Sequence, residues 1–121
     1  ELNFGDFEGR LWTDIPLAES LAWTDSDGKM PCPGGGESHE QLVARMLEWL
    51  HDVAQEGKDV CVVSHGGPMR ALLQTALDLH FCELFRYPLA FAAFALFEID
   101  ARKLQARKWN IELPGYREAV V

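Results

Sequence analysis

Residues 59–68 read DVCVVSHGGP, from Asp59 to Pro68, and this stretch decides the fold class. Its first half is short, apolar and rich in valine, the pattern of a central strand covered on both faces. Cys61 falls inside that strand and is expected to pack there. His65, Gly66 and Gly67 follow at once, and Pro68 suits the first position of a helix expected from Met69 to Leu79. Strand, glycine turn and helix in that order place the chain in the α/β class.

Working outward, the segment before the strand is a helix with clear ends. Ser38 and Gln41 form an S-x-x-Q capping box, Leu42, Met46, Trp49, Leu50 and Val53 recur at helical spacing, and Gly57 supplies the stop. Upstream lies a stretch rich in Gly, Pro, Asp and Trp, read as loop with one or two helical turns around Ile15, Leu17, Leu21 and Trp23. The Cys32–Gly36 sequence CPGGG excludes regular structure. Downstream, Glu83 to Tyr87 adds a turn, and Phe94–Asp100 and Ala106–Ile111 read as two strands joined around Ala101, Arg102 and Lys103. Leu113 to Val121 reads as an irregular tail. Three strands make a poor sheet for this class, and nothing before Asp59 offers it a convincing neighbour.

The chain has 121 residues, a formal net charge of −8 and 48% hydrophobic residues, which is globular composition sized for one domain. The acidic balance argues against nucleic acid and against anionic membranes as partners. Three widely spaced cysteines, Cys32, Cys61 and Cys82, indicate neither a disulfide framework nor a zinc site and fit a reducing, cytoplasmic setting. No apolar run is long enough to span a bilayer. The first residues hold neither an initiator Met nor a basic signal-peptide region, so the chain is expected to be part of something longer.

Ser64-His65-Gly66-Gly67-Pro68 carries the chemistry. The carboxyl end of a strand in an open α/β sheet is where ligands sit, and a helix start offers free N–H groups to an anion. An imidazolium there can stabilise charge on a transferring phosphoryl group. The residues alone leave a second reading open, a glycine turn whose histidine merely caps the strand. His39 and His51, twelve residues apart along one helix, cannot share a metal ion, and no metal site is expected. A Walker loop, a G-x-G-x-x-G and a G-x-S-x-G elbow are all lacking. The four tryptophans read as core and lid residues.

Three ordered motifs settle the choice. The stretch from Glu1 to Gly9 (ELNFGDFEG), the loop from Pro33 to Ser38 (PGGGES) and VVSHGGP resemble the histidine phosphatase superfamily, in the branch of phosphoglycerate-mutase-like phosphatases and α-ribazole phosphatase. The resemblance runs from Glu1 to about Asn110. It implies a three-layer α/β/α phosphoglycerate-mutase-like fold. By resemblance Glu1 is the general acid for the leaving oxygen, His65 the second histidine of the phosphate pocket, and Gly66 a backbone phosphate contact, with Asn3 a substrate-side candidate. It implies no cofactor and a small-molecule phosphate ester as substrate.

The family's nucleophile is the histidine of an R-H-G motif, and no R-H-G occurs in this sequence. The expected unit, residues 1–121, is therefore a single truncated domain lacking the amino-terminal strands, with an acid and lid region over 1–37 and the helix-strand-helix and carboxyl-terminal strands over 38–121. A companion amino-terminal segment or a second copy is expected to serve the free strand edges. The implied activity is phosphomonoester hydrolysis through a phosphohistidine, with α-ribazole 5'-phosphate as the candidate substrate. The alternatives are an inert phosphate-binding or oligomerising fragment and a phosphoglycerate mutase, the latter disfavoured because the sequence offers few cations for a second anionic group.

Overall fold

The computed structural model describes residues 1–100 and 103–112. Three helices and one two-stranded antiparallel sheet appear in the order α1 (Leu17–Thr24), α2 (His39–Gln55), α3 (Gly66–Leu77), β1 (Phe94–Asp100) and β2 (Lys103–Ile111), with 3₁₀ turns at Gly5–Phe7, Trp12–Asp14 and Phe81–Arg86. Local sequence chemistry accounts for the helix ends. Ser38 Oγ accepts the Gln41 N–H at 3.1 Å while Gln41 Oε1 accepts the Ser38 N–H at 2.8 Å, so the expected capping box is closed. Gly57 adopts φ +60 just past the last turn of α2, the left-handed stop its sequence position predicts.

α3 begins at Gly66 rather than Met69, which makes Pro68 its third residue instead of its first. The shift costs nothing, because none of the first four helical N–H groups has an intrahelical acceptor. The helix ends earlier than expected, with Asp78 in the left-handed region at φ 54. β1 occupies the predicted span, whereas β2 starts at Lys103, three residues before the expected Ala106. Its register opens with Asp100 opposite Lys103 and slips twice, between Phe94 and Leu96 and between Leu96 and Phe97. The expected connection at Ala101 and Arg102 and the tail from Leu113 lie outside the described residues.

The larger departure is at 59–64. These residues form no regular element and pair with no strand among the described residues, and Val63 is 98% exposed. The expectation of a strand covered on both faces is thus corrected, and Cys61, expected in packing, is exposed. A run such as VCVV has the composition of a buried strand, but burial requires neighbours on two edges and two faces, and the described residues supply none.

The core instead gathers Leu2, Phe7, Ile15, Cys32, Leu42 and Ala71, with Phe4, Trp23, Val43 and Met46 packed against it. It therefore ties the first seven residues to α2 and α3. Leu42 is fully enclosed, and Leu42→Ala is expected to lower the unfolding free energy by about 3 kcal/mol, measured as the shift in urea midpoint at unchanged slope. A loss below about 1 kcal/mol would mean that this core closes over the gap.

Candidate active site

The amino-terminal turn and the start of α3 meet through one carboxylate. Glu1 Oε1 and Oε2 accept the Gly67 N–H at 3.0 and 3.3 Å, across 66 residues of sequence, and Oε1 also accepts the Leu2 N–H at 2.8 Å. A side chain at Gly67 would overlap that carboxylate. Gly67 is thus a glycine because of close approach rather than backbone freedom. His65 is the N-cap of α3, extended at φ −126, exposed, and with no side-chain bond to the helix end. Gly66 lies beside Arg70 of the next turn, whose guanidinium would stand 3.9 Å from a Cβ at that position.

Of the four residues expected at the site, the structure brings Glu1 to the helix start that carries His65 and Gly66, though the N–H it meets belongs to Gly67. Asn3 is placed differently. Its Oδ1 accepts the Gly5 N–H at 3.0 Å and its main chain bonds Glu37, so its side chain is engaged in a local turn. Sequence reasoning missed three charged residues. Arg70 lines the same cleft as Glu1 and Gly67, and adds a cation where His65 and the helix start were expected to supply all the anion affinity. Arg45 donates to both carboxylate oxygens of Glu37 at 3.0 and 2.9 Å and to the Glu1 carbonyl oxygen at 3.0 Å. The available signal was an acid and a base flanking the capping box, which nothing local connects.

The cleft holds about 130 Å³, and its lining includes Glu1, Gly67 and Arg70 together with the aromatic rings of Phe4, Trp23, Phe81 and Phe85. Ring contacts link the four, from Phe4 to Trp23 at 6.3 Å, Trp23 to Phe81 at 6.3 Å and Phe81 to Phe85 at 5.4 Å. The indole N–H of Trp23 is buried with no acceptor among the described residues. No group of three or more His, Cys, Asp or Glu able to hold a metal ion occurs among the described residues, and no helix is long and apolar enough to cross a membrane.

His39 is buried, with its Nε2 2.7 Å from Gln74 Oε1. Gln74 Nε2 donates to the Leu79 carbonyl, so its Oε1 faces the imidazole and His39 carries its proton on Nε2. Burial pushes the His39 pKa down, against an upward pull from the Gln74 hydrogen bond. The folded protein therefore binds this proton less readily than the unfolded chain. The His39 contribution to stability is complete above the unfolded value of about 6.5 and is lost as pH falls through the lower folded value. Urea midpoints recorded from about pH 8 to pH 5 should fall with acid, and less so in His39→Gln; equal slopes would remove His39 as the cause. Glu37, held low chiefly by the Arg45 hydrogen bond, loses its contribution in a more acidic window, below the ordinary carboxylate range.

The family model of the histidine phosphatase superfamily (branch 1) matches residues 1–112. The chain belongs to that superfamily. Among curated relatives, a metal-independent phosphoserine phosphatase of Arabidopsis thaliana is 35% identical over 77 residues, covering 60% of this chain and 32% of the relative. A 2,3-bisphosphoglycerate-dependent phosphoglycerate mutase of Cytophaga hutchinsonii is 26% identical over 110 residues, covering 84% and 51%. Among solved structures, the α-ribazole phosphatase of Shigella flexneri superposes with a TM-score of 0.70 at 19% identity, covering 93% of this chain and 59% of that one. A phosphoserine phosphatase variant of Entamoeba histolytica, in complex with phosphoserine, gives 0.71 at 18% identity, covering 88% and 56%. These structures establish the phosphoglycerate-mutase-like α/β fold. The chain spans about a third to a half of the length of the curated relatives it matches.

Proposed function

We propose that residues 1–121 are the carboxyl-terminal portion of a phosphomonoesterase domain that works through a phosphohistidine, with the nucleophile carried on an R-H-G segment outside this sequence. The observation that carries the reading is the Glu1 carboxylate seated on the Gly67 N–H at the start of α3, two residues from His65 and in one cleft with Arg70. In the proposed step the nucleophilic imidazole nitrogen bonds to phosphorus as the ester P–O bond breaks. Glu1 gives its proton to the departing alcohol oxygen. His65, Arg70 and the Gly66 N–H at the start of α3 face the phosphoryl oxygens, where charge is concentrated; the Gly67 N–H is held by Glu1 and Pro68 has none. Water then cleaves the P–N bond and Glu1 is the base that takes its proton back. Because one N–H is shared between two carboxylate oxygens, one oxygen can keep the bond while the other holds the proton.

For the substrate we favour an ester with an aromatic portion, α-ribazole 5'-phosphate being the candidate, because Phe4, Trp23, Phe81 and Phe85 line the same cleft as Glu1 and Arg70. Phosphoserine and phosphoglycerate rank lower, since among the described residues Arg70 is the one Lys or Arg lining that cleft. A cytoplasmic setting accords with the three free cysteines. A second reading, an inert phosphate-binding or self-associating module, draws on the unpaired 59–64 edges and the missing R-H-G.

Phosphate release from an aryl phosphate separates them when a segment carrying R-H-G is supplied together with the 121-residue chain. Turnover by that assembly that is abolished by His65→Ala would remove the inert-module reading. Zero turnover by the assembly, with phosphate still shifting the His65 and Gly67 resonances, would favour it. No turnover and no such shift would sink both.

A further inference from the structure

Glu1 is held from behind by an ion pair that no part of the reaction uses. Arg45, on α2, donates Nε and Nη2 to the two oxygens of Glu37, and the same Nη2 donates to the Glu1 carbonyl. Glu37 in turn accepts the Asn3 N–H at 3.3 Å through Oε2, and its own N–H donates to the Asn3 carbonyl at 2.7 Å. Three main-chain groups within three residues, the Glu1 carbonyl, the Asn3 N–H and the Asn3 carbonyl, are thereby tied to one guanidinium and one residue of the glycine-rich loop. Glu37 is mostly sheltered while Arg45 is half exposed, so the pair is a partly buried, bidentate one rather than a loose surface contact. From this anchored segment the Glu1 side chain reaches forward to Gly67.

We propose that Arg45 and Glu37 are positioning residues for the Glu1 carboxyl, coupling α2 and the PGGGES loop to the proton donor at the start of α3. The inference rests on the acid role assigned to Glu1. Its physical content is geometric. A residue on a segment without helix or strand pairing of its own has many accessible conformations, and a general acid must stand within hydrogen-bond reach of one oxygen. Arg45 supplies the restraint because a planar fork can serve Glu37 bidentately and still spare an N–H for the Glu1 carbonyl. A lysine ammonium cannot present that fixed fork.

The test follows the Gly67 amide by nitrogen-proton NMR in the full 121-residue chain, with His65→Ala in every sample so that an imidazole two residues away does not move the same resonance, as pH is lowered from about 6 to 3, because an N–H bonded to a carboxylate shifts when that carboxylate is protonated. Glu1→Gln should abolish the excursion. Arg45→Met should shrink it at least about threefold while the Leu73 amide and the urea midpoint stay near those of the unmodified chain, and Arg45→Lys should restore part of it. Glu37→Gln, which preserves shape, should give an intermediate loss and serves if Arg45→Met does not fold. A full Gly67 excursion in a folded Arg45 or Glu37 variant overturns the positioning role and leaves the acid assignment standing. An excursion that survives Glu1→Gln shows instead that Glu1 does not reach Gly67, and the acid reading fails first.

Discussion

Glu1→Gln is expected to slow hydrolysis of alkyl phosphates by about 10²- to 10⁴-fold in the assembled phosphatase domain, the range a positioned general acid contributes. The glutamine carbonyl can still accept the Gly67 N–H that Glu1 accepts at 3.0 Å, so the fold and the start of α3 should be kept while the transferable proton is lost. The diagnostic is the leaving group. An alkoxide is a poor leaving group and needs protonation as the P–O bond breaks, whereas p-nitrophenolate departs unaided, so p-nitrophenyl phosphate should lose far less. Equal losses on both esters would point to a binding or structural role for Glu1. No loss on either would end the assignment.

Gly67→Ala should reproduce that pattern without touching an ionisable group. The added methyl would overlap the Glu1 carboxylate and come within 3.3 Å of Leu42 Cδ2, a side chain with no room to yield because it is wholly enclosed. Glu1 must therefore leave its place on the helix start. A displacement of about 1 Å of a catalytic group is enough to cost roughly 10²-fold. Combined with Glu1→Gln the two losses should fall well short of their product, since both remove the same proton donor. Gly66→Ala is the contrast, because its methyl would meet only the Arg70 and Leu89 side chains, at 3.9 and 4.0 Å, and leaves Glu1 in place, so any loss there should be equal on alkyl and p-nitrophenyl esters. A leaving-group-dependent loss at Gly66, or additive losses in the double variant, would contradict the Glu1–Gly67 arrangement.

What could be read from the sequence was set by short-range chemistry. Ser38 and Gln41 lie three residues apart and satisfy each other's orphan groups, so α2 begins where the capping box says it does. The alternation in Phe94–Asp100 is likewise local, and β1 occupies that span. VCVV fails as a buried strand for the opposite reason. Its composition describes the environment such residues favour, and the described residues do not provide that environment. Asn3 shows the same limit at the site, because a polar residue near a chemical motif can be consumed by a neighbour two positions on, here the Gly5 N–H.

By itself, then, the sequence determined the α/β class, the ends of α2, the order of the three motifs and the choice of Glu1 and His65 as the residues to look for. Only the tertiary structure decided that Glu1 reaches Gly67 rather than Gly66, that Arg70 enters the cleft, and that Arg45 reaches across 44 residues to the Glu1 carbonyl. Caps and periodicities act over a few residues and are written in neighbouring side chains. Contacts across 44 and 66 residues exist only once α2 and α3 have packed around Leu42 and brought their ends together.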